Sequence, residues 1–248
     1  MNFREQIEEV KPREIEERSF AIISEELGAR TFAPHTELIV KRCIHTSADF
    51  DYADNLCFSQ DAAVKAMEAI KRGVSVVTDT NMAKAGINKV SLGKYGGSVH
   101  CFMADADVAE AARLHGTTRA SESMKKAAAM GEPFLYAIGN APTALVTLYD
   151  LMQEGQVKPE LIIGVPVGFV NVVQSKELIM SSDVPYIVAR GRKGGSNIAA
   201  CIVNALLYMI DSNRSLFFLP ISAQKQKKAG QFSEEPPCRL HWSFYFLT

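Results

Sequence analysis

The chain has 248 residues, enough for one sizeable α/β domain with a buried core. Apolar residues make up 47% and charged residues 22%, the balance of an ordinary soluble globular protein, which argues against disorder over most of the length. Lys and Arg number 27 against 28 Asp and Glu, so there is no basic footprint for nucleic acid, and no apolar run approaches the roughly 20 residues of a membrane span.

Met1-Asn2-Phe3-Arg4-Glu5 has no signal-peptide core, and a cytoplasmic location is expected. Cys43, Cys57, Cys101, Cys201 and Cys238 are scattered without a C-x-x-C pair, which speaks against a disulfide framework and reads as small core residues. His35, His45, His100, His115 and His241 lack paired helical spacing, so no protein-bound metal is expected.

Pro12 and the acids after it open a helix, with Ile15, Ser19, Ile22, Ile23 and Leu27 on one face and Gly28 at its end. Ser19 is a hydroxyl on that apolar face. It either bonds back to a carbonyl one turn earlier or makes a polar contact with function. Leu38, Ile39 and Val40 then mark the buried face of a short helix, followed by the polar stretch Arg42-Cys43-Ile44-His45-Thr46-Ser47-Ala48-Asp49-Phe50-Asp51. His45 should emerge where this helix stops. Imidazole has an unperturbed pKa near physiological pH, which suits it to proton transfer, although a His beside Asp also serves as a hydrogen-bonded structural group.

Ser59 or Asp61 caps a helix reaching Arg72-Gly73. From there apolar, partly β-branched runs over residues 74–78, 99–103, 134–138, 161–165 and 186–189 alternate with polar turns and helices, one of them starting near Thr117-Thr118-Arg119. This alternation predicts a three-layer, doubly wound α/β fold with a mostly parallel five-stranded sheet. Asp79 falls just beyond the first of these strands, where ligand crevices form in such sheets, and capping the next helix is its other reading.

Three later junctions are rich in small residues: Gly139-Asn140-Ala141-Pro142-Thr143, Pro166-Val167-Gly168-Phe169-Val170 and Arg190-Gly191-Arg192-Lys193-Gly194-Gly195-Ser196. Each places backbone N–H groups at a helix start, an arrangement that suits phosphate or carboxylate. Neither G-x-G-x-x-G nor a P-loop is present. Arg119, Arg190, Arg192 and Lys193 lie in or beside junctions and could face the same crevice. The helix over residues 196–210 is apolar on more than one face and should be buried, against its own chain or a second copy.

Four of these stretches carry a resemblance: Arg42-Cys43-Ile44-His45-Thr46-Ser47-Ala48-Asp49, Ile138-Gly139-Asn140-Ala141-Pro142-Thr143-Ala144-Leu145, Gly164-Val165-Pro166-Val167-Gly168-Phe169-Val170, and Gly191-Arg192-Lys193-Gly194-Gly195-Ser196-Asn197 with Asn204-Ala205-Leu206. Together they closely resemble the precorrin-8X methylmutase family, which includes the cobalt-precorrin-8 methylmutases, over about residues 12–210. The resemblance implies a flavodoxin-like fold, a homodimer with sites near the subunit interface, and a late isomerisation in cobalamin biosynthesis. A methyl group moves from carbon 11 to carbon 12 of the corrinoid, giving hydrogenobyrinate or, with cobalt already inserted, cobyrinate. The family's active-site histidine maps onto His45, its helix-one serine onto Ser19 and its Thr-Arg arginine onto Arg119.

On this reading His45 acts as acid or hydrogen-bond donor near ring C, and no separate cofactor is needed, since any cobalt belongs to the substrate. The expected substrate-binding set is Ser19, Thr46, Asp49, Asp79, Arg119, Asn140, Thr143, Gly168, Val170, Arg192, Gly194, Gly195 and Ser196, with Thr46, Ser47 and Asp49 orienting the imidazole or touching the macrocycle. The methylmutase domain would span residues 1–211. Residues 212–248 match no family pattern and are expected to be a poorly ordered tail, a read-through or frameshifted end whose deletion leaves activity intact, or alternatively a species-specific dimer contact. A non-catalytic corrinoid carrier and a flavin-binding module are the competing readings; neither requires nucleic acid or membrane.

Overall fold

The computed structural model describes residues 3–12 and 14–211, so the expected tail over residues 212–248 lies outside the described residues. The sheet opens with a strand that sequence periodicity did not predict, β1 (Leu56–Phe58), followed by β2 (Ser75–Thr78), β3 (Val99–His100), β4 (Phe134–Ile138), β5 (Leu161–Gly164) and β6 (Tyr186–Ala189). Its order is β1-β6-β5-β4-β2-β3. β1 runs antiparallel to β6, pairing Leu56 with Ala189 and Phe58 with Ile187, while all other neighbours are parallel. The expected five-stranded sheet is therefore corrected to a mixed sheet of six strands among the described residues. Three residues are too few to show a period of two, and β1 exists because the free edge of β6 pairs it. The run expected over 99–103 shortens to two residues, and among the described residues β3 has a neighbour on one side only.

The helices are α1 (Ile15–Leu27), α2 (Glu37–Ser47), α3 (Tyr52–Asn55), α4 (Ala62–Lys71), α5 (Asn81–Gly86), α6 (Lys89–Gly93), α7 (Ala106–His115), α8 (Arg119–Ala129), α9 (Pro142–Gln153), α10 (Val172–Met180) and α11 (Ser196–Ile210). Strand residues alternate between two cores. Leu135, Ala137, Ile163 and Ile187 pack with α2, α4 and α11, whereas Phe134, Tyr136, Ile138 and Val188 pack with α8, α9 and α10. These are the two outer layers of the expected three.

Two expectations about helix faces change. α1 buries Phe20, Ile23 and Leu27, while Ile15 and Ile22 are exposed, so the inner stripe is turned toward Phe20. The apolar α11 is enclosed by α2, α4 and α5 together with β4 and β5, which accounts for its burial within one chain. Gly86 and Ala200 make the α5–α11 approach possible, since a Cβ on Gly86 would come within 2.9 Å of the Ala200 Cβ.

After β2 the chain adds β3 on one side and then returns to place β4 on the other. The winding direction therefore switches between β2 and β4, and ligand crevices form beyond the carboxyl ends of such a pair.

Candidate functional site

At this switch point Asp79, fully buried just after β2, reaches across to the β4–α9 junction. Its carboxylate accepts the backbone N–H groups of Gly139 at 2.9 Å, Asn140 at 2.8 Å and Ala141 at 2.6 Å. Burial pushes its carboxyl above the ordinary value, and the three amides pull it back. One of the three anion-suited junctions is thus filled by the protein's own anion. Asp79 does not cap the helix that follows it. That role falls to Thr80, whose hydroxyl accepts the Ala83 N–H at 3.1 Å and also bonds Ser196 Oγ at 2.8 Å. Gly139 permits this closeness: a Cβ there would meet the Ser196 Cα at 2.6 Å.

His45 lies in the last turn of α2, and the left-handed Ala48 ends the helix three residues later. Its ring is exposed and stacks on Phe20 of α1, with centroids 5.5 Å apart and planes 20° from parallel. The neighbours expected to orient it bond elsewhere. Thr46 Oγ1 donates to Cys201 Sγ at 3.2 Å, Ser47 Oγ donates to the Cys43 carbonyl at 2.7 Å, and Asp49 pairs with Lys193 Nζ at 2.6 Å. Phe20 stacks on the imidazole plane instead. Ser19, next to Phe20, donates to the Ile15 carbonyl at 2.8 Å, the back-bonded geometry common in helices.

The β6–α11 loop joins these parts. Lys193 contacts Asp51 at 2.5 Å as well as Asp49; this lowers the Asp49 pKa and raises that of Lys193 to about 12. Arg192 is exposed, its guanidinium lies 5.4 Å from the Phe169 ring centroid, and its carbonyl accepts the Gly168 N–H at 3.1 Å. Phe169 and Val170 are 80% and 78% exposed, an apolar rim beside Arg192. Gly194 and Gly195 have φ of 158° and 138°, and the Gly195 N–H donates to the Val165 carbonyl at 2.9 Å. Arg119 opens α8, exposed and without an ion pair among the described residues. Thr118, its N-cap, hydrogen-bonds Thr143 Oγ1 at 3.0 Å, which ties the Arg119 turn to the junction carrying Asn140.

Arg42, Thr46, Gly86, Asn197, Cys201 and Asn204 line a cleft of about 320 Å3 between α2, α5 and α11. A larger cavity of about 490 Å3 lies at the opposite sheet edge, where Pro133, Pro159 and Pro185 precede β4, β5 and β6. The switch-point rule and the exposed cations favour the carboxyl edge. Among the described residues no group of three or more His, Cys, Asp or Glu could hold a metal ion, and no helix is long and apolar enough to cross a membrane.

The family model described as Precorrin-8X methylmutase matches residues 14–209. The chain belongs to this family. It is 43% identical to the cobalt-precorrin-8 methylmutase of Priestia megaterium, with 86% of this chain and 95% of that protein covered. It is 45% identical to the cobalt-precorrin-8 methylmutase of Salmonella typhimurium, with 80% and 95% covered. The crystal structure of the precorrin-8X methylmutase of Thermus thermophilus superposes with a TM-score of 0.74 at 36% identity, covering 81% of this chain and 99% of that one. Within this methylmutase fold the structure places His45, Arg119, Asn140, Gly168 and Arg192 at the ends of elements that converge on one sheet edge.

Phe20, Thr80, Thr118 and the buried Lys176 of α10 were not singled out as site or support residues from the sequence. Phe20 lay at helical spacing from Ile23 and Leu27, and Lys176 at helical spacing from Val172 and Ile179, so the signal was a periodicity that the apolar count did not weigh.

Proposed function

We propose that the chain is an isomerase of corrin synthesis. It moves a methyl group from carbon 11 to carbon 12 of precorrin-8X or cobalt-precorrin-8, with His45 as the acid or hydrogen-bond donor. The observation that carries this reading is the His45 ring, held flat against Phe20 at a helix end with its nitrogens free of the neighbouring Thr46, Ser47 and Asp49. Drawing electron density from the conjugated ring system toward His45 weakens the migrating bond; the proton or hydrogen bond is needed only while charge shifts.

The substrate's carboxylate arms meet Arg119, Arg192 and the starts of α8 and α11, while Ser19, Thr46, Thr143, Val170, Gly194, Gly195 and Ser196 shape the surface between them. Asp79 and Asp49 act indirectly, Asp79 by shaping the β4–α9 junction and Asp49 through Lys193. Asn140 has its backbone N–H committed to Asp79, so its side chain is the group left for substrate. No separate cofactor enters the reaction, and cobalt, where present, travels with the substrate.

The parallel strands alone run in the order 2-1-3-4-5, which supports a flavodoxin-like class. The protein works in the cytoplasm as a homodimer. Ile15, 53% exposed, lies with Ser19 and Ile22 on an outward stripe of α1, a surface suited to a second copy. Residues 1–211 form the catalytic domain.

Purified protein incubated with precorrin-8, with and without cobalt, is expected to give the absorption change of the migrated product. A carrier would bind without that change, and a flavin protein would purify yellow. His45→Ala should abolish turnover while product binding stays within about threefold; near-normal turnover would overturn the assignment.

A further inference from the structure

α10 carries a lysine on its inner face. Val172, Ser175 and Ile179 are buried there, and Lys176 sits among them with no exposed surface. Its Nζ donates to the carbonyl oxygens of Gly191 at 2.8 Å and Lys193 at 2.9 Å. Among the described residues no carboxylate pairs with it; the adjacent Glu177 is engaged by Arg190. Taking an ammonium out of water costs several kcal/mol, and two neutral carbonyls offset only part of that. Burial accordingly draws the Lys176 pKa down to about 8. A Met or Leu would avoid that penalty but would leave the Gly191 and Lys193 carbonyls without their shared donor, so what the lysine contributes lies in the loop it holds.

The β6–α11 loop contains Gly191, Gly194 and Gly195 at φ of 82°, 158° and 138°, a backbone with many alternatives open to it. One Nζ bonded to carbonyls two residues apart fixes the turn between them, and Arg192 is the residue inside that turn. The next residue, Lys193, reaches outward to Asp49 and Asp51, in the segment that follows the His45 helix.

We propose that Lys176 is a positioning residue for the methyl shift. From inside the protein it fixes the 191–193 turn, thereby aiming Arg192 at the substrate-facing edge and anchoring the Lys193 clamp on the segment behind His45. The proposal rests on the reading of this edge as the corrinoid site.

The test is a double-mutant cycle on full-length protein with Lys176→Met and Lys193→Met. Lys176→Met is expected to keep its thermal midpoint within about 3 °C of wild type, yet to raise KM about tenfold and lower kcat. Because both lysines act through one loop, the double variant should lose less kcat/KM than the two single losses combined. Wild-type kinetics in Lys176→Met, or strictly additive losses, would overturn the proposal. If Lys176→Met does not fold, the exposed Lys193→Met decides alone: unchanged kcat/KM refutes the clamp, and a loss supports it. Failure of the underlying functional reading looks different, since wild type would then show no turnover.

Discussion

The Asp79 carboxylate accepts the Ala141 backbone N–H at 2.6 Å, bridging the end of β2 and the start of α9 across the switch point of the sheet. A sequence separation of 62 residues is closed by one side chain that also takes the Gly139 and Asn140 amides. One of the three small-residue junctions is thereby occupied from within.

Asp79→Ala would leave three amides without their acceptor in a buried place. Hydrogen bonds to a charged group contribute about 1.5–3 kcal/mol each, and loss of a buried partner is not additive, so a destabilisation on the order of 4 kcal/mol is expected. Asp79→Asn should recover part of it, because its Oδ1 can accept the Asn140 and Ala141 amides while its NH2 faces the Gly139 N–H. Urea denaturation measures both, and a loss below about 1 kcal/mol would show that the bridge contributes little.

Gly194 and Gly191 occupy the same loop but face different surroundings. A Cβ on Gly194 would overlap the Val165 carbonyl oxygen, whereas one on Gly191 meets nothing within 4 Å. Gly191→Ala therefore costs only its conformational term, about 1 kcal/mol, while Gly194→Ala adds a backbone clash and should lose about 3 kcal/mol or more. Equal thermal midpoints for the two variants would contradict this account.

Glu122 sits almost fully buried one turn after Arg119. Burial raises its carboxyl, but Thr117 Oγ1 at 2.6 Å, Lys125 Nζ at 2.9 Å and His115 Nδ1 at 3.3 Å outweigh that and bring the pKa to about 2. The unfolded value is about 4.3, so the folded state favours the carboxylate; its stabilisation is complete above roughly pH 5 and is lost as pH falls toward 2. Thermal midpoints of wild type and Glu122→Gln should differ most near neutrality and converge over that window. A gap unchanged from pH 6 to pH 2.5 would refute the linkage.

Much of the fold was legible because local patterns carry it. Apolar runs such as 134–138 and 161–165, each followed by a polar turn and an amphipathic helix, can hardly form anything but βα units. β1 was not legible, because Leu56, Cys57 and Phe58 have no period to read and become a strand only against β6. His45 was legible as a polar group at a helix end, and the family motifs pointed to it. Its actual neighbour, Phe20, was not, because the rotation of α1 depends on which side chains meet the core, and Ile15 and Ile22 compete for that face on apolarity alone.

From the sequence by itself followed the α/β alternation, the small-residue junctions at the strand ends and the family, since each depends on residues near one another in the chain. Tertiary structure decided that Asp79 fills the β4–α9 junction, where Lys176 and Lys193 anchor their loop, and what stacks on His45. Asp79 is an acid after a strand in any reading of the sequence. Only the placement of β4 beside β2 brings three amides within its reach, because a hydrogen bond depends on distance in space and strand order sets that distance.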